Sequence, residues 1–251
     1  MFPLRDDNPA VLTPFVTVGI IAVNALAWIF IQGMGSEPAL VRSVCSLGFI
    51  PGEVLQRIPP GTRVQLGPEV ACVVGGGASW HTALTSMFLH GGWFHLIGNM
   101  WFLWVFGNNI EDSMGHLRFI VFYVLTGLAA VAAQTLADPG SAIPMVGASG
   151  AISGVMGAYI VLYPTIRVHM LVFLGFFITR IVIPAWVMLG YWFLLQVLGG
   201  SVGQIGEEGG GVAFWAHAGG FIAGAILIWL FRSRKLVAQR DRHEVWHGFR
   251  V

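Results

Sequence analysis

The chain has 251 residues, 56% hydrophobic and 10% charged, with a mean hydropathy of +0.75 and a formal net charge of +1. A soluble globular domain carries about a quarter charged residues, so the balance excludes an ordinary water-soluble fold and indicates a polytopic membrane protein. Near-zero charge also excludes a general nucleic-acid footprint, which needs a basic face.

The 12 acidic residues all fall between or beyond the apolar runs and punctuate the chain into spans. A helix needs about 20 apolar residues to cross the hydrocarbon core, somewhat fewer where flanking groups snorkel. Spans are expected at 15–32, 93–110, 119–137, 146–163, 181–198 and 212–231. The predicted fold is therefore an all-α bundle of six transmembrane helices with a long first outer loop. Residues 168–178 are apolar but too short to cross, and Arg167 and Arg180 bracket them. They are expected at the interface, with a re-entrant segment or a seventh crossing as the alternatives.

Lys and Arg orient the spans. If the N-terminus is cytoplasmic, ten of the 13 basic residues lie inside and only Arg42, Arg57 and Arg63 lie outside, which places both termini in the cytoplasm. No basic n-region with a small-residue cleavage site opens the chain, so the first span reads as a retained anchor. Residues 1–231 form the expected transmembrane domain and 232–251 a short basic tail. That tail reads as a cytoplasmic stop, with lipid head-group binding as a lesser use. The two cysteines, Cys45 and Cys72, share the first outer loop. An oxidising exterior permits a disulfide, and two free thiols fit the sequence equally well.

In this topology the second, fourth and sixth helices start at the outer face, and His95, Ser149 and His217 each fall in the first turns of one of them. A hydroxyl and imidazoles at one depth in apolar helices are costly to keep there unless they do something. His95 and Asn99 are four apart and share a face. Gly150 with Gly154, and Gly220 with Gly224, give the fourth and sixth helices small faces that allow close approach. Each feature alone fits helix packing; together they form a Ser/His nucleophile pair.

These residues carry a resemblance to the rhomboid family of intramembrane serine proteases. The matching positions are Trp80 to Gly107, including His90, Gly91, Gly92, Trp93, His95, Asn99 and Met100; then Gly147 to Gly150; then Ala216, His217, Gly219, Gly220 and Gly224. One departure is Trp80 followed by His81, where many relatives have Trp-Arg, which removes any arginine contact at that point.

The resemblance implies a dyad in which Ser149 attacks and His217 takes its proton, with His95, Asn99 and the Ser149 backbone N–H holding the oxyanion. Gly147, Gly150, Gly154, Gly220 and Gly224 would pack the helices around the site. The implied substrates are transmembrane segments of other membrane proteins, and the expected location is the plasma membrane of a prokaryote. The glycine-rich stretch 199–211, with Glu207 and Glu208, reads as a cap over the site or a flexible linker. The fifth helix, with Trp186, Tyr191, Trp192 and Phe193, reads as a lateral gate or an aromatic belt.

No His-Glu-x-x-His string is present for a zinc protease, and no span carries the aspartate pair of an aspartyl mechanism. His243 and His247 offer at most a weak metal pair, so no metal or other cofactor is expected. Two further classes stay in view: an inactive relative that binds clients, and a channel, transporter or haem carrier using His90, His95 and His217.

Overall fold

The computed structural model describes residues 2–67, 70–75, 77, 79–174, 177–203 and 212–246. In chain order these form strand β1 (Phe2–Asp6), helix α1 (Phe15–Leu26), which continues through a π-helical turn (Ala27–Ile31), and helices α2 (Glu37–Leu47) and α3 (Pro51–Val54). Strands β2 (Arg63–Gly67) and β3 (Val70–Val73) and the short helix α4 (Thr82–Thr85) precede helices α5 (Trp93–Met114), α6 (His116–Ala137) and α7 (Ser149–Leu162). Strands β4 (Arg167–Leu174) and β5 (Phe177–Pro184) lead to helices α8 (Ala185–Gly203), α9 (Phe214–Phe231) and α10 (Arg234–Trp246).

Each expected apolar run is helical, and among the described residues three helices, α6, α8 and α9, are long and apolar enough to cross a membrane by length and composition. Helix α7 has 14 residues, about 21 Å at ~1.5 Å per residue. It forms the centre of the bundle, with every residue from Gly150 to Tyr159 buried. Its small residues explain this position. A Cβ on Gly220 would overlap the Gly150 carbonyl, and one on Gly224 the Gly154 carbonyl, so α7 and α9 pack backbone to backbone. Helix α6 completes the same seam, with Gly154 against Thr126, Gly150 against Ala130 and Gly219 of α9 against Ala133.

The end of the bundle that carries β1 and the α5–α6 junction, labelled inner after the expected topology, departs from expectation in two places. Residues 168–178 are not an interfacial helix: they belong to the antiparallel hairpin β4–β5, and β1 adds a third strand in the order β1-β4-β5. Val168, Met170 and Val172 are buried and the residues between them are less so, the period-2 pattern of a half-buried strand in a β-branched, aromatic segment. The hairpin takes 181–184, so the fifth long helix starts at Ala185.

The acidic pair Glu111 and Asp112, expected between spans, sits inside α5, with only 0% and 4% of its surface exposed. Helix α1 begins after Pro14 without a side-chain cap of its own, and α5 supplies one. Glu111 accepts the N–H groups of Val16 and Thr17 at 2.9 and 2.8 Å, and Asp112 those of Val11 and Leu12 at 3.0 and 2.7 Å. Glu111 thereby satisfies two orphan donors in the first turn of α1, and Asp112 two in the segment that leads into it.

Residues 234–246 form α10, and Arg240 lies over the Tyr163 ring at 4.0 Å. The side chain of His243 and all of His247 lie outside the described residues.

On the outer side Cys45 and Cys72 are joined in a disulfide with a Cα–Cα distance of 5.4 Å, which decides between the two readings of the pair. It ties α2 to the β2–β3 hairpin, whose small core holds Val64, Cys72 and Val74. This outer layer reaches the bundle through Phe49, which exchanges both backbone hydrogen bonds with Met145 at 3.0 and 2.8 Å. Gly52 N–H bonds Ser141 O at 2.8 Å, so the segment leading into α7 is braced from outside.

Candidate active site

The braced segment turns into α7 at Gly147, whose φ of +127° lies in the region that favours glycine. A Cβ there would also stand 2.7 Å from His95 Nε2, so glycine is needed for space as well as for backbone. Ser149 follows as the first residue of α7, its N–H ahead of the first intrahelical bond.

Small-residue packing brings α9 close enough for its first turns to meet Ser149. His217 Nε2 lies 2.8 Å from Ser149 Oγ. Ser153, the other hydroxyl on this face, donates back to Ser149 O at 2.6 Å and is fully buried, so it is committed to the helix. Gln134 Oε1 accepts the Ala216 N–H at 3.2 Å, pinning the start of α9 to the end of α6.

His95 and Asn99 occupy the same face of α5, as their spacing predicts. Gly91 N–H donates to His95 Nδ1 at 3.2 Å, so a neutral ring carries its proton on Nε2, the edge that stands over Gly147. Asn99 is buried, and its Nδ2 has no hydrogen-bond partner among the described residues, which is rare for a buried amide. His95, Asn99 and Ser149 all line one cavity. His90 does not join them there. It is fully buried, its ring 5.1 Å from that of His95. Its backbone N–H and C=O both pair with the Gln32 side chain at 2.8 Å, fixing the end of the α1 run to the start of α5.

These groups border a cavity of about 1030 Å³ whose walls come from the outer ends of α5, α6, α7, α8 and α9 and from residues 141–146. Among the aromatic residues expected on α8, Trp192 lines the cavity, with its ring 5.9 Å from that of His217. Phe193 stacks on Phe221, while Trp186 and Tyr191 are more than half exposed and point away. Gly199–Gly203, expected in a cap loop, continue α8, and Glu207 and Glu208 lie outside the described residues.

Sequence reasoning missed Gln196. Its Oε1 stands 2.8 Å from His217 Nδ1, on the far side of the ring from Ser149. The signal was available, since Gln196 is the one carboxamide in the apolar helix Ala185–Gly203.

The arrangement can be set beside known proteins. A family model described as the Rhomboid domain matches residues 77–234, well over half of the sequence. The chain belongs to the rhomboid family. Its similarity extends to the Arabidopsis thaliana "Rhomboid-like protein 11, chloroplastic", 29% identical over 157 residues, covering 61% of this chain and 52% of that protein. It is also similar to the Bacillus subtilis "Rhomboid protease GluP", 31% identical over 166 residues, covering 66% and 29%. A third relative is "Putative rhomboid protease YdcA" of the same bacterium, 27% identical over 152 residues, covering 59% and 62%.

The chain thus spans less than two thirds of the length of each of these three rhomboid relatives. Like them it is a helical membrane protein. Relatives carry chloroplastic, mitochondrial and bacterial names, so family membership does not single out a prokaryotic membrane. The disulfide-linked layer, residues 36–75, lies outside the match to the rhomboid model.

Proposed function

We propose that this chain is an intramembrane serine endopeptidase in which Ser149 is the nucleophile and His217 the general base. The observation that carries the reading is the 2.8 Å approach of His217 Nε2 to Ser149 Oγ at the wall of a cavity. Ser149 Oγ attacks the scissile carbonyl carbon and its proton passes to His217 Nε2. The amide nitrogen leaves with that proton, and water, activated by the same imidazole, hydrolyses the Ser149 ester. His95 Nε2–H, the unpartnered Asn99 Nδ2–H₂ and the Ser149 N–H are the donors for the tetrahedral oxyanion. The N-terminal end of α7 adds its positive dipole. A cavity open to one side supplies water at a depth where lipid excludes it.

In this reading the α1 run and α5 to α9 make six crossings within residues 1–231, and residues 232–251 form a basic cytoplasmic extension. Both termini face the cytoplasm, and the site opens outward in a prokaryotic plasma membrane. Substrates are single-span or multi-span membrane proteins cut near the outer end of a transmembrane segment, at places where a helix unwinds to free its carbonyls. No metal or other cofactor enters any step.

The test is reconstitution of the protein in liposomes with a panel of single-span proteins, the cut positions being mapped by mass spectrometry. Cleavage near the outer ends of spans, abolished by Ser149→Ala and by His217→Ala, is expected. Cleavage that persists in Ser149→Ala would end this reading, and so would binding of the panel by wild-type protein without any cut.

A further inference from the structure

We propose that Gln196 is a positioning residue for the reaction: it holds His217 in the one tautomer and ring orientation that let Nε2 accept the Ser149 proton. The inference rests on the protease reading above.

The chain of donors and acceptors has a fixed direction. Gln196 Nε2 donates to the Trp192 carbonyl at 3.3 Å, and a carbonyl can only accept. The amide must therefore turn its oxygen, not its nitrogen, toward the imidazole 2.8 Å away. Facing an oxygen, His217 Nδ1 has to carry the proton. A neutral ring has one N–H, so Nε2 is left with its lone pair toward Ser149 Oγ at 2.8 Å. A backbone carbonyl of α8 thus dictates, through one side chain, which way a proton moves between α9 and α7. Gln196 is 8% exposed, so water does not readily replace it. The Trp192 ring beside His217 limits the ring's tilt from the same helix.

Two consequences follow. The site needs no carboxylate to orient its base, because a neutral amide supplies the acceptor. His217 is also oriented only while α8 stands against α9, so a displacement of α8 that admits a substrate would release the base, and its return would re-arm it.

The experiment uses the full-length protein and a fluorophosphonate probe, comparing labelling rates of wild type, Gln196→Met and Gln196→Glu, with thermal unfolding of each. Methionine keeps length and volume but removes the acceptor. Glutamate keeps an oxygen toward Nδ1, and in its protonated form it also keeps a donor for Trp192 O. If Gln196 only fills space in an apolar helix, methionine is the milder change; if it orients His217, glutamate is. Labelling slowed about tenfold or more in Gln196→Met, with Gln196→Glu clearly faster, is the expected result for one lost orienting hydrogen bond. Gln196→Met labelling as fast as wild type, or faster than Gln196→Glu, overturns the proposal.

A measurement on the wild type keeps the question answerable if the variants do not fold. In histidine-labelled protein, ¹⁵N shifts of His217, assigned by its absence in His217→Ala, should report a protonated Nδ1 and a bare Nε2 at neutral pH; the opposite tautomer overturns the proposal. No labelling of wild-type Ser149 would instead overturn the protease reading, while the tautomer still shows whether Gln196 holds the ring.

Discussion

At the inner end of the bundle Glu111 and Asp112 are closed in, their oxygens occupied by N–H groups at the start of α1 and in the segment before it, by the Thr17 hydroxyl at 2.6 Å and by His116 at 2.6 Å. At the outer end, Asn99 keeps a buried donor without a partner, and Ser149 and His217 stand at the wall of a large cavity. Both ends hold polar groups that an apolar bundle accepts at a cost. The inner set satisfies backbone donors and so stabilises the fold. The outer set leaves hydrogen-bonding capacity unused, which is what a site for a transient charge requires. Stability and chemistry should therefore separate by end, and substitutions at each end test that separation.

The largest effect is expected at Ser149. Ser149→Ala should abolish fluorophosphonate labelling and cleavage, while the unfolding free energy stays within about 0.5 kcal/mol of wild type. A large loss of stability would make the hydroxyl part of the packing and remove the contrast.

Asn99→Ala comes next, with turnover lowered by ~10²–10³ and little change in stability, because its Nδ2 has no partner to lose. Measured kcat and unfolding midpoint should dissociate here. Equal losses in both would return Asn99 to helix packing.

Glu111→Ala is the mirror experiment. It strands the N–H groups of Val16 and Thr17 and is expected to cost about 3 kcal/mol of stability, read from equilibrium unfolding in detergent. The labelling rate of the remaining folded protein should be that of wild type. A selective loss of labelling would mean that the inner end also shapes the site.

A smaller and more local effect belongs to the outer brace. Replacing Cys45 and Cys72 by serine opens a link between α2 and β3 and should cost roughly 2–4 kcal/mol of local stability. Faster hydrogen exchange confined to residues 36–75 and 140–147 is the expected pattern. Labelling should fall only a few-fold, because Phe49 and Met145 still pair when the outer layer is folded.

Much of the outer end was legible because its residues offend their surroundings. Ser149, His95 and His217 are polar groups in apolar runs, and the glycines at 150, 154, 220 and 224 mark where helices touch. The inner end was harder to read, for particular physical reasons. The apolar stretch 168–178 was weighed by length against membrane thickness, although the alternation of Val168, Met170 and Val172 already carried a strand. Its partner, β1, is some 160 residues away in sequence, and no local pattern announces such a pairing. Glu111 and Asp112 read as span boundaries because charge is costly in lipid. The donors that repay that cost lie on α1 and on the segment just before it, about a hundred residues earlier, and only the folded chain brings them together.

The mildest expected effect is a pH dependence at the inner end. Asp6, in β1 and outside the long helices, accepts hydrogen bonds from Tyr159 Oη at 2.5 Å and Asn109 Nδ2 at 2.9 Å. Burial pushes its carboxyl up to about 7, outweighing the hydrogen bonds that pull it down. A folded-state value raised above the ordinary 3.8 means that the folded state binds the proton more tightly. The stability this contributes is fully present below about pH 4 and is lost as pH rises through about 7. The other groups at this corner are Asn8, which donates to Tyr159 Oη, and Asp7, which pairs with Arg5 and His169. Amide exchange of β1, corrected for its intrinsic pH dependence, should therefore show less protection at pH 8 than at pH 5. Asp6→Asn should flatten that difference. Protection that rises with pH in the wild type would reverse the sign, and would mean that the donors from Tyr159 and Asn109 outweigh burial and hold Asp6 as a carboxylate.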